Sequence, residues 1–517
     1  MGAPPVRASW AILIALLLAL LGATLFGERA ARPPEAGDEP TYALQASSLA
    51  WDFDLRYSDE DFARYREQWG ARPPGIDLES RDGGQTQVYG RPFFHALVAA
   101  PFVRAMPQRG MRVANALLLA AGALLAAWAL KRPFWVAVFV FASVTFSYVF
   151  LATADIFLLA VTAAGFALIY SGQKEAVLPS MYEEDRVWSW REFGRWLAVG
   201  LLLAIPGTYR PLYLFLLLPA VVARKSRAGW AGLIVGALGL LALASFVHAQ
   251  TGGDPLLVPS LTFEANPGLF AWNAVYFLVG RNVGILPYFL PVLLALLAAR
   301  RDRWALGLGA AFATIGFLVA QPYDFAGFGG ATGNRLFLPL YAALWFLAAK
   351  PIRSAWAVVI ALLAVPFLLP LPSVAERIQG WLPYEATQRE LPGAWTSQGG
   401  LRIKPTSPSV WLAPRGSDFR IAGGQIGELV VASPGPLESL ELEFDRNAPT
   451  TLQANGAEVR PTRLGADGSV TFPVPLGSGR VHPMWWTGGA HHLYTLRFHL
   501  PGAPYKPIAF KVIKRHP

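Results

Sequence analysis

Long apolar runs divide the first 371 residues of this chain, and shorter alternating runs divide the remainder. The long runs lie near 10–26, 113–130, 134–151, 156–170, 196–206 and 212–223, then 230–247, 285–299, 304–320, 336–349 and 355–371. An untilted helix needs roughly 20 residues to cross a bilayer, so the shorter runs require flanking residues or tilt. The pattern predicts an all-α polytopic membrane protein with about 11 transmembrane helices. The first run has a second reading as a cleaved signal peptide, because Arg7 precedes it and small residues follow.

The polar segment between the first two runs carries its own helical signals. Asp38 reads as an N-cap with Pro40 in the first turn, and Tyr42, Ala46 and Leu49 share one face. Ser58 is placed to cap a second helix over 59–69, with Phe62, Tyr65 and Trp69 along one side. Both helices are expected to lie along the membrane surface with their aromatic faces toward it. Gly90-Arg91-Pro92 then opens an apolar stretch, 93–103, that is too short to span and is assigned to the interface.

Beyond residue 371 the chain changes character. Segment 372–408 mixes proline, glycine and polar residues and reads as a linker. Seven β-rich runs follow, at 409–413, 428–432, 437–444, 451–454, 469–474, 493–500 and 508–513. Gly423-Gly424, Asn455-Gly456 and Asp467-Gly468 stand between them as hairpin turns. They predict a small β-sandwich over 409–517.

Composition agrees with a membrane protein. Of 517 residues, 54% are hydrophobic and 15% charged, with a mean hydropathy of +0.37. Soluble domains carry about a quarter charged residues. Cysteine is absent, which excludes disulfides, thiolate metal sites and thiol nucleophiles. The net charge of +10 sits largely in short clusters between apolar runs, so membrane orientation explains it better than nucleic-acid binding. Arg7, segment 172–195, Lys131-Arg132, Arg224-Lys225-Ser226-Arg227, Arg300-Arg301-Asp302-Arg303 and Lys350 with Arg353 mark the cytoplasmic side. The amino terminus is then cytoplasmic. Segments 28–88, 153–155, 250–284, 321–335, the turn at Arg210 and the carboxyl-terminal domain lie outside.

That outer side collects ionisable residues at the ends of the runs: Asp38, Glu39, Asp155, Arg91, Arg210, Arg281 and Arg335. Charges at membrane depth are costly and usually functional. Any one arginine has the plain reading of a snorkelling side chain or a partner for a loop carboxylate. Four together point to a shared anionic ligand. Asp38 has the plain reading of a helix cap, which would keep its carboxylate ionised and weaken it as a base, so Glu39 gains weight. Asp155 reads as a second acid, a cation ligand or a polar residue in a tight turn. The cluster His482-Pro483-Met484-Trp485-Trp486, with His491, His492 and Tyr494, reads as core packing before it reads as a sugar platform.

Gly37-Asp38-Glu39-Pro40-Thr41-Tyr42, directly after a first span, resembles the acidic first-loop motif of GT-C membrane glycosyltransferases. The likeness is to the bacterial branch related to protein mannosyltransferases and aminoarabinose transferases. Tyr89-Gly90-Arg91-Pro92-Phe93-Phe94 resembles that branch's basic-proline segment, and the resemblance gives Arg91 a place facing a lipid phosphate. Ala152-Thr153-Ala154-Asp155 is similar to the second outer loop, and Thr208-Tyr209-Arg210-Pro211 to a later donor-facing turn. Gly333-Asn334-Arg335-Leu336-Phe337 is similar to a motif of uncharacterised bacterial members. The resemblance covers the architecture of 8–371, whereas segment 56–88 has no counterpart in it.

It implies transfer of a sugar from a polyprenyl-phosphate donor to an extracytoplasmic acceptor, at a bacterial inner membrane. The leaving phosphate calls for arginine or a divalent cation, Mg²⁺ or Mn²⁺, and the acceptor hydroxyl for a carboxylate. The sequence assigns no metal ligands. Two other classes stay open: a transporter or flippase of lipid-linked sugars, and an inactive assembly subunit. The paired repeats and broken helices of transporters are not visible, and an intact acidic pair with outer arginines argues against an inactive subunit.

Overall fold

The computed structural model describes residues 6–34, 38–70, 73, 76–80, 86–171, 188–224, 226–251, 267–279, 284–320, 333–350 and 354–368. Within the carboxyl-terminal part it describes 396–398, 401–405, 410–412, 419–421, 426–433, 435–437, 439–444, 451–460, 463–464, 470–475, 480–484, 489–499 and 508–514. The chain forms two compact units, one holding most of the helices and the other the carboxyl-terminal strands.

Sixteen helices are described. They begin with α1 (Val6–Phe26), α2 (Glu39–Trp51), α3 (Asp59–Trp69), α4 (Phe94–Ala105) and α5 (Gly110–Leu130). Next come α6 (Pro133–Phe141), α7 (Asp155–Tyr170), α8 (Trp190–Tyr209), α9 (Leu218–Ala223), α10 (Arg227–Thr251) and α11 (Pro267–Val279). The series ends with α12 (Ile285–Tyr288), α13 (Val292–Leu297), α14 (Trp304–Ala320), α15 (Leu338–Trp345) and α16 (Ser354–Leu368). Among the described residues, every long apolar run of the sequence contains helix, although several are interrupted.

The span count departs from expectation. Among the described residues, four helices are long and apolar enough to cross a membrane: α1, α5, α10 and the helix ending at Ala320. A fifth span exists if α6 and the 3-10 turn Val144–Phe150, bent by 66° at their junction, are counted as one. Proline explains several of the short runs, since it removes a backbone donor and crowds the preceding turn. Pro211 opens a 3-10 turn, Pro291 separates α12 from α13, and Pro339 sits in the first turn of α15. The chain is a multi-pass membrane protein whose helices are partly broken.

Glycine sets a close helix crossing between α8 and α10. A side-chain carbon at Gly232 or Gly236 of α10 would collide with the carbonyl oxygens of Phe193 and Leu197 on α8, and one at Gly200 of α8 with that of Leu233. Within lipid, small residues spaced four apart allow such backbone contact, which then supplies packing that hydrophobicity cannot.

The segment between α1 and α4 is more enclosed than its polarity suggests. Nearly all of α2 is buried, including Glu39, Gln45, Ser47 and Ser48, so it is not a surface helix with one covered face. Ser58 caps α3 as expected, and the structure adds a full capping box: Ser58 accepts from the backbone of Asp61, and Asp61 accepts from the backbone of Ser58. Its aromatic side turns inward, however. Tyr65 and Trp69 pack with Leu44 and Tyr89, and the Tyr65 hydroxyl donates to the Pro34 carbonyl at 2.8 Å. Ile76 and Leu78 join that cluster, at the start of a two-stranded ladder of β1 (Leu78–Glu79) and β2 (Val88–Tyr89).

Among the described residues of the carboxyl-terminal unit, thirteen strands form two antiparallel sheets. The seven expected strands are all there. Six more were missed, at Thr396–Gln398, Leu401–Pro405, Phe419–Ile421, Ala457–Val459, Arg463–Leu464 and Arg480–Met484. The first two come from the stretch read as a linker. Asn455-Gly456 makes its hairpin, with φ of 49° and 86°, the pair of left-handed values that a two-residue turn of this type needs. Tyr494 is fully buried, its hydroxyl accepting from the Leu437 backbone at 2.8 Å, and His482 stands opposite His491 in the ladder. Tyr494 is thus a core residue, whereas Trp485 and Trp486 lie outside the described residues. Likewise, Gly423-Gly424 and Asp467-Gly468 lie outside them.

Replacing Gly236 by Leu should force α8 and α10 apart at an overpacking cost of about 1–3 kcal/mol. A lower thermal unfolding midpoint in detergent, with Gly239→Leu as a control in open space, checks this.

Candidate functional site

Asp38 begins α2 in the place of an N-cap, yet its side chain makes no capping hydrogen bond. The capping reading is therefore corrected. One carboxylate oxygen accepts from Arg91 Nη2 at 2.8 Å, and the other from Arg335 Nη2 at 3.2 Å. Two strong cationic donors outcompete one backbone amide, because charge-assisted bonds are shorter and stronger than neutral ones.

Local sequence fixes each arginine. Gly333 adopts φ +85°, which favours glycine, and a side chain there would press on Val144. The Asn334 side chain accepts from the Phe337 backbone at 3.1 Å and so starts the 3-10 turn Arg335–Phe337. Below it, the Tyr213 hydroxyl donates to the Leu336 carbonyl and the Tyr148 hydroxyl to the Gly333 carbonyl. Arg335 is thereby held, 9% exposed, with its Nε 3.2 Å from Asp155 Oδ2. Asp155 is the first residue of α7, where the helix dipole favours an anion, and its Oδ2 also accepts from Thr153 Oγ1 at 2.7 Å.

Arg91 is gripped by its backbone: Gln45 Nε2 donates to its carbonyl at 2.8 Å. One residue on, the Tyr209 hydroxyl donates to the Pro92 carbonyl, and the His95 backbone donates to the same hydroxyl. This ties the end of α8, and with it Arg210, to the Arg91 segment. Arg91 Nη2 also lies 3.0 Å from Asp77 Oδ2. Its Nε is buried without a hydrogen-bond partner. Arg210 acts on both Asp38 and Asp77 through its charge.

The structure therefore brings together Asp38, Arg91, Asp155, Arg210 and Arg335. Glu39 departs from them. Its carboxylate is buried and accepts from the Ala152 backbone at 2.6 Å, away from the Arg91–Asp38–Arg335 bridge. Arg281 lies outside the described residues. Asp77 is the residue that sequence reasoning missed. Its signal was the alternation Ile76-Asp77-Leu78-Glu79, whose apolar pair is partly buried against the Leu44, Tyr65 and Tyr89 cluster. His95 was missed too: buried, it shares a 2.9 Å hydrogen bond between Nε2 and Asn115 Oδ1 and packs edge-on to Tyr42. Among the described residues, no three or more His, Asp or Glu side chains stand together in a way that would hold a metal ion.

Electrostatics separate the carboxylates that share Arg91. Burial pushes Asp38 up, but Arg91, Arg335 and Arg210 together pull it below the ordinary value of 3.8. Burial also pushes Asp77 up. There Arg91 opposes the rise, Asp38 and Glu79 add to it, and the carboxyl ends above the ordinary value. Asp38 is thus a fixed anion and Asp77 the more basic group.

No family model and no curated protein matches the chain. Among solved structures, it is similar to the crystal structure of ArnT from Cupriavidus metallidurans bound to undecaprenyl phosphate. The identity is 16% and the TM-score 0.39, over 72% of this chain and 67% of that one. Both values are low, and the functional reading below rests on the site itself.

Arg335→Met removes the cation shared by Asp38 and Asp155, so a loss of about 3 kcal/mol is expected, in line with breaking other buried pairs. Thermal unfolding in detergent measures it. The depressed Asp38 value fixes the pH dependence of a second variant. The stabilisation from ionised Asp38 is complete above the ordinary value of 3.8 and is lost as pH falls through the lower folded value. The difference in midpoint between the unsubstituted protein and Asp38→Asn should accordingly hold level from about pH 8 to 5 and shrink only below about pH 4.

Proposed function

We propose that this chain transfers a sugar from a polyprenyl-phosphate donor to an acceptor hydroxyl at the extracytoplasmic face of the membrane. The observation that carries the reading is the convergence of Arg91 and Arg335 on one carboxylate, with a buried Arg91 Nε left unsatisfied. Guanidinium groups match the oxygens of a phosphate in spacing and charge. The pair lies at helix ends, between the polar loop that carries α2 and the start of α7. An amphiphilic donor needs such a place, its chain in lipid and its phosphate at the headgroup level.

The chemistry follows from the residues. The acceptor oxygen attacks the anomeric carbon, and the bond from that carbon to the phosphate oxygen breaks. Charge grows on the leaving phosphate, where Arg91 and Arg335, with Arg210 beside them, offset it. Asp38 and Asp155 hold those guanidiniums in position before the donor arrives. The acceptor proton passes to a carboxylate near Arg91.

The test is transfer from a panel of radiolabelled polyprenyl-phosphate hexoses and pentoses, in membranes holding the protein. Arg91→Ala and Arg335→Ala should each lower transfer by about 10²–10³-fold, the usual effect of deleting one charge-stabilising donor. Glu39→Gln should keep most activity, because a glutamine oxygen can still accept from Ala152. Full transfer by both arginine variants would exclude this site.

A further inference from the structure

We infer that Asp77 is the general base that removes the acceptor's proton, a step that rests on the glycosyl-transfer reading above. The surrounding carboxylates are already engaged. Before a donor arrives both oxygens of Asp38 accept from guanidiniums, which hold it a weaker base than Asp77. Asp155 is held by Arg335 and the Thr153 hydroxyl at 8% side-chain exposure. Glu39 is buried on a backbone amide.

Asp77 differs on each point. Its side chain is 44% exposed, and the one ion pair it makes among the described residues is through Oδ2, to Arg91 at 3.0 Å. Its Oδ1 faces Gly90, where a side-chain carbon would come within 3.1 Å of it, so the glycine keeps that oxygen uncrowded. The backbone around it is rigid. The Asp77 amide donates to Thr41 Oγ1 at 2.9 Å, and its carbonyl accepts from the Gly90 amide at 2.9 Å. Ile76 and Leu78 anchor the flanks in the Leu44 and Tyr89 cluster, while Asp77 between them meets Arg91 and Gly90.

The position suits the reaction. Asp77 and Asp38 touch the same nitrogen of Arg91, at 3.0 and 2.8 Å, so Asp77 borders the place where the phosphate would replace Asp38. The charged groups around it are Arg91, Asp38, Glu79 and Arg210. Their sum, with burial, leaves it a stronger base than an ordinary aspartate. In the step itself the acceptor O–H proton moves to the Asp77 carboxylate. The acceptor oxygen bonds to the anomeric carbon, and the electron pair of the broken bond goes to the phosphate oxygen. The products are the glycosylated acceptor, polyprenyl phosphate and protonated Asp77, which returns its proton to water.

The experiment compares the unsubstituted protein with Asp77→Asn and Asp77→Glu, using whichever donor of the panel above is transferred best. Asp77→Asn should lose about 10²–10⁴ in kcat, with donor KM changed by less than about threefold. Asp77→Glu should recover part of the rate, with the acidic limb of its pH profile displaced. Folding is checked independently: a carboxyl whose folded value is raised disfavours the folded state once ionised, so Asp77→Asn should unfold no earlier than the unsubstituted protein at pH 7. A kcat retained within about threefold, or a loss confined to donor KM, would overturn the assignment and leave glycosyl transfer standing. Absence of transfer by the unsubstituted protein with every donor would instead remove the reading beneath it, and the assignment with it.

Discussion

Asp38 is the single anion on which two arginines from distant parts of the chain depend. Arg91 arrives from 53 residues downstream and Arg335 from 297. Each guanidinium also has a second carboxylate, so Asp38 is the shared partner that couples the two rather than the sole counter-charge of either. From Asp38 the pairing extends both ways, through Arg91 to Asp77 and through Arg335 to Asp155. The result is a row of five alternating charges that joins the start of α2, the residue before β1, the segment ahead of α4, the start of α7 and the turn ahead of α15.

Backbone supports, more than packing, keep the row in register. Gln45, Asn334 and the hydroxyls of Tyr148, Tyr209 and Tyr213 each bond to main chain beside a charged residue. Such bonds fix where a side chain starts, leaving its charged end to meet its partner. That division suits a site built at the broken ends of helices, where the backbone has unmatched donors and acceptors to offer.

Much of this was legible in the sequence, for reasons that differ by element. Apolar runs mark helices because lipid and core both demand them, and Ser58 marks the start of α3 through a local rule. Gly333-Asn334-Arg335 stood out by resemblance alone, and the turn that holds Arg335 emerges only in the fold. Other features depend on contacts between remote segments. Asp38 and Glu39 are neighbours in sequence, yet one helical step turns them roughly 100° apart. One meets arginine and the other a backbone amide, a division no local pattern specifies. Asp77 lies in a loop without resemblance to anything recognised, and only the ladder of β1 with β2 brings it to Arg91. The short strands were missed because runs of two to five residues are too brief to stand out from loop, even where, as in Leu401–Pro405, apolar and polar residues alternate.

The bridge made by Asp38 also bears on turnover. A phosphate entering between Arg91 and Arg335 meets no vacant cationic hole, because a carboxylate of the protein already sits there. Binding is then an exchange of one anion for another, and its net affinity is the difference between two similar attractions. The tethered carboxylate stays at high effective concentration throughout. In the proposed transfer it would be positioned to reclaim both guanidiniums once the sugar has gone, so the group that weakens capture would also hasten release of the spent lipid.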